Sequence, residues 1–133
     1  MEKILVEVSF TGKNYSAHIP ILLGCVTTGC SLEEIKTNVK EIVPFHIEGM
    51  REDNYNYPSV FDSEYEFVYR LSTEALIKEF SGIFTKTALS HATGINQRQI
   101  SHYVSGRTTP RPKQRERIIK GIHAISRELA SVV

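Results

Sequence analysis

Two hydrophobic periods run along this chain and divide it. From Ile4 to Phe10 apolar residues recur at every second position (Ile4, Val6, Val8, Phe10), with Leu5, Glu7 and Ser9 between them. That alternation predicts a strand with one buried face. Thr11-Gly12-Lys13-Asn14 has the composition of a tight turn, so Tyr15 to Ile19 is read as an antiparallel partner. Pro20 to Gly24 interrupts the sheet, and Cys25 to Thr28 supplies a third short strand. A fourth runs from Tyr65 to Leu71, where Tyr65, Phe67, Tyr69 and Leu71 alternate with Glu66, Val68 and Arg70.

The other period is helical. Ser31 and Glu34 have the spacing of a capping box, and Leu32, Ile35, Val39 and Ile42 follow as one apolar stripe. Pro44 disrupts that helix or ends it nearby, because it lacks a backbone donor. Gly49 to Asp62 is rich in charge, Asn, Tyr and Pro and reads as an exposed connection. From Ser72 onward the helical period persists. Thr73 caps a helix carrying Ala75, Leu76, Ile77 and Phe80, and two short helices then meet across Gly94. Pro112 suits the first turn of a last helix, whose stripe is Ile118, Ile119, Ile122, Ile125 and Leu129. The pattern predicts an α+β domain of order β-β-β-α-β over residues 1–71, followed by an all-α domain over residues 72–133.

Charge sharpens this division. The chain of 133 residues has a net charge of +1. Residues 1–84 hold 7 Lys/Arg against 13 Asp/Glu, a balance of −6, and residues 85–133 hold 9 against 2, a balance of +7. The basic part suits a polyanion, and the acidic part suits a basic partner. No apolar run approaches the ~20 residues that span a bilayer, and the N-terminal strand has no signal-peptide pattern. A cytoplasmic protein is expected. Cys25 and Cys30, five apart on a strand, point to opposite faces and are expected as two buried free thiols.

The segment Thr85 to Gly106 concentrates the candidate chemistry. Leu89, Ile95, Ile100 and Tyr103 fall where a helix-turn-helix needs apolar residues, and Gly94 falls at its turn. Asn96 is a good N-cap for a helix over Gln97 to Ser105. Gln97, Arg98, Ser101 and His102 are expected on its outer face. Glutamine can pair bidentately with adenine and arginine with guanine, each worth ~1–3 kcal/mol of discrimination. Asn96, Arg107, Arg111 and Lys113 are assigned to phosphates, where they add affinity and salt dependence but little sequence choice.

These residues resemble the phage-repressor-like (XRE or Cro/CI) helix-turn-helix family through the core Gly-Ile-Asn-Gln-x-x-Ile-Ser at 94–101. The resemblance implies that Gln97, Arg98 and His102 face bases. Ser90 departs from the alanine usual there. Residues 18–35, His-Ile-Pro-Ile-Leu-Leu-Gly-Cys-Val-Thr-Thr-Gly-Cys-Ser-Leu-Glu-Glu-Ile, resemble the HicB antitoxin family. That second resemblance implies a reduced ribonuclease-H-like domain that masks a small, basic, mRNA-cleaving toxin of the HicA kind. Combined, the two imply an antitoxin that also represses its own operon by binding double-stranded operator DNA. One such domain offers little contact surface, so a homodimer or larger assembly is expected, and the final helix, through Ile122, Ile125 and Leu129 to Val133, either forms the dimer surface or only closes its own domain. No motif marks the toxin-contacting residues.

An enzyme is not expected. Two-metal nucleases need several converging carboxylates, whereas Glu7 is alone on its strand and Glu33 and Glu34 serve a helix start. The five histidines form no ligand cluster, and no cofactor or metal site is expected. The rival binding class is a helix-turn-helix regulator whose first domain senses a small molecule. The DNA chemistry is common to both.

Overall fold

The computed structural model describes residues 1–133 as an α+β protein with a four-stranded mixed sheet and five α-helices. It divides into two compact units, Met1–Ala75 and Leu76–Val133. The division falls inside a helix, a few residues beyond the change of period.

In the first unit, β1 (Glu2–Phe10), β2 (Tyr15–His18), β3 (Val26–Gly29) and β4 (Tyr65–Leu71) lie in the order β3-β2-β1-β4. The β1–β2 and β2–β3 pairs are antiparallel, and β1 pairs parallel with β4. Consecutive strands β3 and β4 thus occupy opposite edges, and α1 (Leu32–Glu52) makes the crossover between them. Ile35, Val39, Val43 and Ile47 of α1 share one core with Ile4, Val6, Val8, Tyr15 and Ala17. Burying each Ile or Val of this set contributes ~1.5–3 kcal/mol. The alternation read in β1 is therefore the true inner face, and the opposite face carries Lys3, Leu5, Glu7, Glu66, Val68 and Arg70.

Several sequence expectations need correction. Pro44 does not end α1, which continues for eight residues beyond it. Pro44 is exposed, so the Lys40 carbonyl it leaves without a donor can bond water, while Val43 and Ile47 hold the helix to the sheet. The buried stripe accordingly shifts, and Leu32 and Ile42 are only half-buried. Residues 53–62 are not merely a loop. They include a single 3-10 turn, Ser59–Asp62, that buries Phe61. Arg51 fastens this segment, donating to Tyr57 Oη at 3.1 Å and Asp62 Oδ1 at 3.1 Å.

The cap of α1 is Ser31, whose Oγ accepts from the Glu34 amide at 3.1 Å. Glu34 reaches back to the Cys30 amide at 3.1 Å, one residue earlier than a strict capping box. Of the two thiols only Cys25 is buried, and burial pushes its pKa up. Cys30 is exposed because β3 ends at Gly29, outside the alternation that placed it inside.

α2 (Thr73–Ser81), inside which the division falls, begins at Thr73 itself, the residue expected as its cap. Ser72, not Thr73, caps it, with its Oγ accepting from the Ala75 amide at 3.1 Å. Then follow α3 (Lys86–Thr93), α4 (Gln97–Val104) and α5 (Pro112–Ala130). Leu89, Ile95, Ile100, Tyr103, Ile118 and Ile122 are buried. Packing is close, since the space among Leu76, Ile77, Phe80, Leu89, Ile100, Tyr103, Val104 and Ile118 holds a void of about 10 Å³.

Candidate nucleic-acid interface

α3 and α4 are joined by Gly94, Ile95 and Asn96, and each of these residues has a separate physical task. Thr85 starts α3, its Oγ1 accepting from the Ala88 amide at 3.0 Å. Gly94 ends it in the left-handed region at φ 74°, which a side chain would strain. Ile95 is buried, so the turn is pinned from below. Asn96 then caps α4, with Oδ1 accepting from the Gln99 amide at 2.8 Å.

Two hydroxyls stiffen the turn. Thr93 Oγ1 donates to the Leu89 carbonyl at 2.7 Å and accepts from the Ile95 amide at 3.2 Å. Ser90 Oγ donates to the Ile95 carbonyl. Ser90 thus supplies a bond that alanine would lack.

Gln97 and Arg98 project into solvent from the first turn of α4. That turn has free backbone N–H groups and a positive dipole end, so it favours an anion. Ser101 and His102 are only half-buried neighbours on the next turn, not fully outward side chains as the helical spacing suggested. Asn96 is exposed, but its side-chain oxygen is committed to the cap. Ile100 and Tyr103 turn inward and anchor the helix.

Arg107, Arg111 and Lys113 lie beyond the other end of α4, roughly 12 Å along an eight-residue helix. The connection carrying them is tied back to α4. The Arg107 and Thr108 amides donate to the His102 carbonyl at 2.9 and 3.4 Å, and Gln99 Nε2 donates to Thr108 Oγ1 at 3.3 Å. Gln99, which the sequence did not single out, therefore positions the basic segment. The three cations and Arg98 are exposed and have no ion pair.

Arg117 was also missed. A Cβ on Gly94 would lie 3.0 Å from Arg117 Nη2, which puts a guanidinium from α5 beside the turn. A separation of 23 residues leaves no local signal for that contact. Chemically, the arrangement offers two planar hydrogen-bonding side chains at one helix tip, with unpaired cations at the other end and beside the turn.

No protein-family model matches this chain. Over 44 residues it is 43% identical to the "uncharacterized 14.9 kDa protein in rep-hol intergenic region" of Haemophilus phage HP1 (strain HP1c1). The match covers 33% of this chain and 33% of that protein, so the likeness spans about a third of each.

Proposed function

We propose that the second unit is a helix-turn-helix domain that reads double-stranded DNA, and that the chain is an antitoxin repressing its own operon. The observation that carries the DNA reading is the exposed tip of α4. Gln97 and Arg98 stand clear of the domain, and beyond the other end of α4 Arg107, Arg111 and Lys113 keep unpaired charges. In this reading Gln97 and Arg98 take base edges, and His102 and Ser101 support them on the next turn. Arg107, Arg111 and Lys113 take phosphates, joined by Arg117 at the turn. Asn96 contributes through the helix end it caps.

The first unit, read as a reduced ribonuclease-H-like domain of the HicB kind, holds a small basic toxin. Its excess of carboxylates suits that charge, since opposite fields speed encounter and favour pairing. The exposed Leu23 (89%) and Phe45 (79%) add apolar surface of the sort a protein partner covers. This favours a protein over the small-molecule ligand of the rival regulator reading.

Each half has its own test. Arg98→Ala should cost ~1–3 kcal/mol on operator DNA and relax sequence preference, whereas Lys113→Ala should weaken all DNA alike and lower the salt slope. Equal losses on operator and random DNA for Arg98→Ala would remove the base-reading role. For the first unit, co-expression with the product of the small adjacent gene should give a stable complex and relieve growth arrest. A neighbour that is harmless alone and does not co-purify would remove the antitoxin reading and leave DNA binding standing.

A further inference from the structure

The solvent face of α1 carries one aromatic side chain among carboxylates. By helix geometry, Glu41, Glu48 and Glu52 fall within roughly 60° of Phe45 around the helix axis. All three are exposed, and Phe45 keeps 79% of its surface in solvent. The cations of α1 are elsewhere, since Lys36, Lys40 and Arg51 lie roughly 120° or more from Phe45. Arg51 reaches round to Glu48 at 3.0 Å, whereas Glu41 and Glu52 have no ion pair. Glu48 and Glu52 are one turn apart, so their like charges oppose the helix. Phe45 adds nothing to the core, which α1 meets through Ile35, Val39, Val43 and Ile47.

A second apolar side chain is held out beside this face. Leu23 is 89% exposed, yet the chain on either side of it is anchored by Leu22 at 2% and Cys25 at 1%. The Leu22 amide donates to the Ile19 carbonyl at 2.9 Å, and the Cys25 amide to the Leu22 carbonyl at 3.2 Å. Gly24 closes the turn in the left-handed region at φ 81°. A Cβ on Gly24 would lie 3.7 Å from His46 Cε1, so the turn meets α1 next to Phe45. Both apolar side chains thus fit within the ~800 Å² that one side of a standard interface covers.

Helix and turn present Phe45 and Leu23 on ordered backbone, so covering them costs little ordering. Aromatic side chains are enriched at the centres of protein interfaces. The carboxylates select what covers them. A nucleic acid or an anionic bilayer has the same sign of charge as this face. A second copy meeting it about a two-fold axis would set glutamates against glutamates. A basic protein surface has the opposite field.

We propose that Phe45 and Leu23, flanked by Glu41 and Glu52, are the docking surface for the small basic protein that the first unit holds. Phe45 enters an apolar pocket of that partner, and lysines or arginines around the pocket meet Glu41 and Glu52. This gives the antitoxin reading its surface and rests on that reading.

The test uses the full chain and the product of the small adjacent gene, with affinity measured by calorimetry. Phe45→Ala should raise Kd at least ~tenfold, and Leu23→Ser should raise it in the same direction. Ile83→Ser, at a side chain 62% exposed in the second unit, is the control and should leave Kd unchanged. Glu41→Lys together with Glu52→Lys should slow association and flatten its dependence on salt. All four substituted positions of the surface are exposed, so melting temperatures should match that of the parent chain. Unchanged Kd for both Phe45→Ala and Leu23→Ser overturns the proposal and leaves the antitoxin reading standing. No complex with the unsubstituted chain overturns both. Self-association lost in Phe45→Ala by sedimentation equilibrium, with affinity for the gene product kept, would assign the face to a second copy and overturn the proposal as well.

Discussion

At the scale of single residues, the informative positions are those where a small group meets backbone. A Cβ on Gly121 would sit 2.9 Å from the Ala92 carbonyl oxygen, so α5 approaches α3 only because this residue has no side chain. Alanine is favoured over glycine in a helix by up to ~1 kcal/mol, but overpacking against backbone costs ~1–3 kcal/mol. Gly121→Ala should therefore lower the melting temperature in a thermal unfolding scan. An unchanged or raised value would show that the helices can separate freely. Gly121 was not legible in the sequence, where it is one more position in an amphipathic run. Gly94 was legible, because a glycine between two apolar-patterned helices has few other reasons to be there. The thiols differ in the same local way. At pH 8, Cys30 should react quickly with a thiol reagent, and Cys25 should react only on unfolding, since it is buried and its raised pKa leaves less thiolate. Equal rates for both would contradict the burial of Cys25.

At the scale of elements, caps and alternation carried the most information. Asn96 was read as a cap from its type and place, and its bond to Gln99 N at 2.8 Å gives that reading a definite cost. Asn96→Ala should destabilise the second unit by ~1 kcal/mol, measured by chemical denaturation with a fluorescent probe placed in that unit. No loss would mean that packing of Ile100 and Tyr103 alone sets where α4 begins. The β4 strand was equally legible from its strict alternation, and its parallel place beside β1 was not. Strand order depends on contacts distant in sequence, and one strand's pattern does not name its neighbour. Pro44 misled for a related reason. Its local effect is to remove a hydrogen bond, but long-range packing of Val39, Val43 and Ile47 carries α1 past it. α5 shows both outcomes on one helix. Ile118 and Ile122 close its own unit, whereas Leu129 near its end remains exposed.

At the scale of the whole chain, two units of opposite charge are joined through α2. The sequence disclosed the opposition because charge is additive along it, and it disclosed the α4 tip because helix spacing is local. It did not disclose Gln99 holding Thr108, or Arg117 beside Gly94, since both depend on how α4 and α5 fold back. The central claim is that Gln97 and Arg98 read a defined DNA sequence on behalf of a dimer. The most direct measurement is selection of bound sites from random double-stranded DNA by the full chain at physiological salt. The account predicts an enriched palindrome whose half-sites lie about one helical turn, roughly 10 bp, apart, with Arg98→Ala degrading the motif. Binding that enriches no sequence, or a motif unchanged by Arg98→Ala, would contradict it.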